Sequence, residues 1–65
     1  MRMNVRIGDV LRLNIPDSDV LHNREVIVTD IIRSVFDRTD VMGIEFVFQP
    51  EGKPVILEPE KFASM

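Results

Sequence analysis

The segment REVIVTDIIRSVF (residues 24–36) decides whether the middle of this chain is a helix or a strand. Its apolar residues recur at i, i+4 and i+8, which is the spacing of an amphipathic helix. However, six of eight consecutive residues at its centre are β-branched, and such side chains lose rotamer freedom in a helix but pack well on a sheet. We therefore predict a long strand with a kink near Thr29 and Asp30, where a bulge returns Ile31 to the core face. A helix over residues 18–36 is the alternative.

Two neighbouring segments show the alternation of polar and apolar residues that is typical of half-buried strands. VLRLN (residues 10–14) follows a turn at Gly8 and Asp9 and leads into a polar loop over residues 16–24. VMGIEFVFQ (residues 41–49) is the clearest strand of the chain. Its predicted core face carries Met42, Ile44, Phe46 and Phe48, and its predicted outward face carries Val41, Gly43, Glu45, Val47 and Gln49.

The end of the chain predicts one more short strand and a helical turn. PVILE (residues 54–58) follows a tight turn at residues 50–53, and a proline is tolerated at the start of a strand. Pro59 ends this strand, and the next residues are expected to form one helical turn whose Phe62 covers an open end of the sheet. Valine and isoleucine supply 16 residues, against four leucines and one alanine, so the composition also favours a mainly β fold.

In this order of elements the chain resembles the small SH3-like barrels of bacteria and phages. In those proteins an early Gly-Asp turn begins the first strand, a V-x-V-x-x-I strand follows a long loop, and a terminal proline with a nearby aromatic residue closes the barrel. The residues that carry the resemblance are Gly8, Asp9, Val26, Val28, Ile31, Gly43, Phe46, Pro59 and Phe62. The resemblance implies an all-β fold, a small SH3-like barrel of about five strands, in a single domain over residues 1–65. It implies no activity, because small barrels serve many unrelated functions.

The residue types that serve in catalysis do not form a recognisable catalytic or metal-binding motif in this sequence. His22 is the only histidine and there is no cysteine. Asp17 and Asp19 lack the further ligands and the glycine of a calcium loop. Asp37 and Asp40 are better explained as turn residues that bond nearby backbone N–H groups. We therefore predict that the protein is not an enzyme and has no metal or cofactor. The family members that bind proline-rich peptides do so on Trp and Tyr, and both are missing here.

Charge and hydropathy indicate the kind of partner. The net charge is −3, which is the wrong sign for a general nucleic-acid binder. Neither a signal peptide nor an apolar run long enough to span a membrane is visible, so we expect a soluble, cytoplasmic protein. Arginines suit interface anchors, and an outward apolar strip beside an exposed strand edge suits a protein contact. The candidate interaction surface consists of Arg6, Arg12, Arg24, Arg38, Val47 and Ile56.

Two hypotheses of function follow from this surface. The first is a non-catalytic protein-binding module of bacterial or phage type, whose partner is another protein; a homodimer is the simplest way for so small a domain to cover the strip. The alternative is a small nucleic-acid-binding or regulatory barrel that uses the arginines near the N-terminus. Clustering of Arg2, Arg6, Arg12 and Arg24 on one face favours the second hypothesis. Dispersal of these arginines, together with an exposed strip at Val47 and Ile56, favours the first.

Overall fold

The computed structural model describes residues 3–63 and confirms the all-β class. These residues form one open antiparallel sheet of four strands in the order β1-β2-β3-β4, where the sequence predicted a barrel of about five strands. The elements are β1 (Val10–Arg12), β2 (Glu25–Arg33), β3 (Val41–Val47), β4 (Val55–Leu57) and a 3₁₀ turn at Pro59–Lys61.

The central segment is a strand, so the helical alternative over residues 18–36 is wrong. The pairing of β2 with β3 shifts between Val28 and Asp30, which leaves Thr29 as the extra residue of a bulge. Val26 and Val28 are buried before the bulge, and Ile31 packs against the core after it. The predicted kink is therefore confirmed, and the helical spacing of the sequence arises from a strand whose phase changes once.

A second irregularity changes the phase of β3, and the sequence did not reveal it. Ile32 pairs with Gly43 but Arg33 pairs with Val41, so Met42 is the extra residue. As a result Val41 is turned into the core at 1% exposure, while Met42 is 56% exposed. The predicted faces of both residues were wrong, because a bulge reverses the alternation of every residue beyond it.

The core lies on one side of the sheet and is centred on Phe46. The Phe46 ring makes edge-to-face contacts with the rings of Phe48 and Phe62, each with centroids 5.5 Å apart. Such aromatic pairs add to the stabilisation that burial provides. The buried core residues are Val5, Leu11, Leu13, Val26, Val28, Val41, Ile44, Phe46 and Phe62.

The chain end returns to the first strand. After the 3₁₀ turn, Phe62 forms an isolated antiparallel bridge with Leu13. On either side of it, Asn14 N–H donates to the Lys61 carbonyl at 2.6 Å and Ala63 N–H donates to the Arg12 carbonyl at 2.8 Å. The predicted terminal turn and the covering role of Phe62, which is 4% exposed, are confirmed.

Candidate interaction surface

The side of the sheet that faces away from the core is called here the outer face. The pairing register places the core residues Leu11, Val28 and Ile44 on one side and their sequence neighbours on the other. The outer face accordingly carries Val10, Arg12, Ile27, Asp30, Ile32, Gly43, Glu45, Val47 and Ile56.

Two isoleucines meet on the outer face above a glycine. A Cβ atom at Gly43 would lie 3.3 Å from Ile56 Cγ2 and 3.4 Å from Ile32 Cδ1, so the side chains from β4 and β2 converge over this position. Both remain accessible, with 37% of Ile32 and 56% of Ile56 exposed. Ile56 therefore points outward, as the sequence predicted. We call Ile32, Gly43 and Ile56 the apolar patch.

Val47 does not extend this patch. It lies on the outer face, where it pairs with Ile27, and it is absent from the core cluster. Nevertheless only 4% of it is exposed, so the predicted exposed strip at Val47 was wrong. Its strand lies between β2 and β4, and neighbours on both sides of a central strand cover a small side chain.

Charged groups lie between the apolar residues of the outer face. Thr29 Oγ1 donates a hydrogen bond of 2.6 Å to Glu45 Oε2, and Asp30 is the cross-strand neighbour of Glu45. Glu45 in turn pairs with Ile56 on β4. The apolar patch is thus flanked by carboxylates, and Arg12 supplies a positive charge towards the β1 side of the same face.

The candidate arginines have different surroundings. Arg6 lies in the turn before β1, where its backbone N–H donates to the Asp9 carboxylate. Arg12 is on β1 opposite Glu25, and the Arg24 guanidinium stacks 4.4 Å from the centroid of the Phe48 ring. Arg12 and Arg24 are thus one position apart across the β1–β2 pairing. Arg38 is in the β2–β3 loop, and Arg2 lies outside the described residues.

The loop between β2 and β3 presents an apolar pair at its tip. Val35 is 86% exposed and Phe36 97% exposed. Neither residue is part of the interaction surface that the sequence predicted, although the apolar pair is visible beside a polar turn. The loop is bonded across its base by Ser34 N–H, which donates to the Asp40 carbonyl at 2.9 Å.

Asp37 organises this loop, as the sequence predicted for a turn aspartate. Its Oδ1 accepts hydrogen bonds from Thr39 Oγ1 at 2.6 Å and from Thr39 N–H at 3.0 Å. These bonds, the hydroxyl first, hold the pKa of the Asp37 carboxyl below its ordinary value. The carboxylate form is therefore the one that stabilises the loop.

Arg38 and Arg33 share an open groove of about 400 Å³. The groove is lined by Met3, Asn4, Arg33, Arg38 and Thr39, and Arg33 Nη1 donates to the Arg38 carbonyl at 3.1 Å. Among residues 3–63, no carboxylate forms an ion pair with either guanidinium. Arg38 was a candidate from the sequence, but no sequence pattern indicated that it lies beside Arg33.

His22 has a structural contact in the long loop. Its Nδ1 accepts a hydrogen bond of 3.1 Å from Ile15 N–H, and the backbone N–H of His22 donates to the Ser18 carbonyl. Within residues 3–63, no three His, Cys, Asp or Glu side chains are grouped so that they would hold a metal ion. The same part of the chain contains no helix that is long and apolar enough to cross a membrane.

No known family model, curated protein or solved structure matches this chain. We therefore infer function from the apolar patch, the loop tip and the arginine groove.

Proposed function

We propose that this protein is a non-catalytic protein-binding module, and that it binds its partner through the outer face of the sheet. The observation that carries the proposal is that Ile32 and Ile56 both approach the space above Gly43 and remain exposed, which leaves an apolar patch in water. Apolar surface that is contiguous and bordered by polar groups is typical of protein-binding sites. The bacterial or phage type of the module rests on the resemblance of the sequence alone.

The charges around the patch suit a specific partner. Asp30 and Glu45 lie next to the apolar residues and Arg12 lies further along the same face. A polar rim of this kind contributes more to the choice of partner and to the rate of association than to affinity. The expected partner surface is apolar at its centre and carries a positive group opposite the two carboxylates.

The proposed fold family is the small SH3-like barrel. The order of the elements supports it, since a long loop separates β1 from β2 and a 3₁₀ turn follows β4. The bridge between Phe62 and Leu13 also supports it, because it brings the chain end to the free side of β1. In this interpretation residues 62–63 take the place of a fifth strand.

The experiment compares partner capture by the tagged chain and by two variants of the same chemistry. Ile56→Glu places a charge in the patch, whereas Val20→Glu places it in the loop before β2, where the valine is 73% exposed. Capture is performed with and without nuclease and quantified by mass spectrometry. We expect the unmodified chain to capture a protein in stoichiometric amount, and this capture should persist after nuclease treatment. The Val20→Glu control should capture the same protein, and Ile56→Glu should not.

Other results would contradict the proposal. Equal capture by Ile56→Glu and by the control would exclude the outer face as the binding surface. Sedimentation of the isolated chain distinguishes a second copy from a different protein, since a homodimer through this face would dissociate in Ile56→Glu. Loss of all partners on nuclease treatment would favour the nucleic-acid alternative.

A further inference from the structure

We propose that the groove between Arg33 and Arg38 binds an oxyanion of the phosphate class. Both guanidinium groups line the groove, and among residues 3–63 neither forms an ion pair with a carboxylate. An arginine fork matches the geometry of a phosphate and donates two parallel hydrogen bonds to it. Two such forks attract an anion more strongly than they attract a neutral ligand.

The groove is built so that one guanidinium is held in place. Arg33 Nη1 donates to the Arg38 carbonyl at 3.1 Å, which fixes the Arg33 side chain against the loop and leaves its other N–H groups for a ligand. A donor that is already positioned loses less conformational entropy on binding. Arg38 belongs to the same loop, so a single ordered segment presents both charges.

The loop also contains a carboxylate whose main hydrogen bonds are local. Asp37 Oδ1 accepts hydrogen bonds from the hydroxyl and the N–H of Thr39. Within residues 3–63 the groove lining contains no carboxylate, and Asn4 adds a side-chain amide that donates to oxygen. This lining therefore carries two positive charges, although the net charge of the chain is −3.

The groove is separate from the apolar patch. Arg33 pairs with the buried Val41, whereas the preceding Ile32 pairs with Gly43 on the outer face. Adjacent residues of a strand point to opposite sides of a sheet. Anion binding is thus independent of the proposed protein contact, and one site can be tested without disturbing the other.

A phosphate reaches this groove either as the free anion or as part of a nucleotide. Phe36 distinguishes these sources, because it is 97% exposed in the same loop, two positions before Arg38. Stacking of a base on an exposed aromatic ring typically strengthens binding by about tenfold or more. A nucleotide therefore gains affinity from Phe36, and inorganic phosphate does not.

The test is an NMR titration of the full chain with inorganic phosphate, followed through the backbone amides of Asn4 and Thr39. Sodium chloride at matched ionic strength is the control titration. We expect saturable shifts with phosphate only, and a loss of affinity of about tenfold for Arg33→Gln and for Arg38→Gln. The matched variant Arg12→Gln is expected to bind as the unmodified chain does, because Arg12 lies on β1.

Three results would overturn the site: no saturable shift in the millimolar range, the same shifts with chloride, or unchanged binding by both groove variants. Spectra of the free variants show that each one is folded. A second titration uses the dinucleotide pTpT on the unmodified chain and on Phe36→Ala. Tighter binding that Phe36→Ala abolishes identifies a nucleotide as the ligand. Equal affinities identify free phosphate, and both outcomes support the anion site.

Discussion

Phe62 and Phe36 offer the same substitution in opposite environments. Phe62 is 4% exposed and stacks edge-to-face on Phe46, whereas Phe36 is 97% exposed at the loop tip. Phe62 also forms the backbone bridge to Leu13, so its ring lies where the chain end meets β1. We predict that Phe62→Ala destabilises the protein severely and that Phe36→Ala leaves its stability nearly unchanged.

The magnitude follows from burial. Replacing a buried phenylalanine by alanine costs about 3–5 kcal/mol, through lost transfer free energy and the cavity left behind. Because Phe62 lies near the chain end, its neighbours can partly fill that space, and we expect a value near 3 kcal/mol. A chain of this length has a total stability of roughly 3–10 kcal/mol, so the variant loses a large share of it. Phe36→Ala should stay within about 0.5 kcal/mol, as for other exposed positions.

The assay is urea unfolding followed by far-ultraviolet circular dichroism, at one protein concentration for all variants. Phe62→Leu is included because it conserves most of the volume; it should cost about 1–2 kcal/mol and stay folded if Phe62→Ala does not. Equal destabilisation by the two alanine variants would show that the burial of Phe62 does not stabilise the fold. A cost below about 1 kcal/mol for Phe62→Ala would show that the chain end does not complete the core.

Three further predictions concern single contacts. Gly8 has a φ of +93° with open space around its α-carbon. Gly8→Ala should therefore lower the free energy of unfolding by about 1–2 kcal/mol through backbone strain alone, measured by thermal unfolding. His22→Ala removes the acceptor of Ile15 N–H and should cost about 1 kcal/mol in the same assay, with faster amide exchange at Ile15. Because hydrogen bonds depress the Asp37 pKa in the folded state, its contribution to stability is present above the unfolded pKa and is lost as the pH falls through the folded one. The Thr39 amide resonance should accordingly titrate with a midpoint below 3.8, and Asp37→Asn should abolish that transition.

The sequence predicted the elements of this fold well because their signals are local. Six β-branched residues among eight outweighed the helical spacing of β2, and the kink at Thr29 was expected from the change in phase. The terminal turn and the burial of Phe62 followed from Pro59 and a lone aromatic residue. These features depend on residues that are neighbours along the chain.

The candidate site was harder to predict because it depends on pairing between strands. Ile56 was expected to point outward, but its position beside Ile32 above Gly43 requires three strands in one register. The bulge at Met42 exchanged the faces of Val41 and Met42, and nothing in their own sequence signals it. Register is a property of two strands together, so one strand's sequence does not define it.

The β class of this protein follows from its sequence alone, because β-branched composition and polar turns favour short strands. Which side chains lie together depends on the tertiary structure. In it Val47 is buried, Ile32 and Ile56 are both exposed above Gly43, and Arg33 and Arg38 line one groove. The physical reason is that local preferences act on the backbone of each segment, whereas a surface forms from residues far apart in the chain.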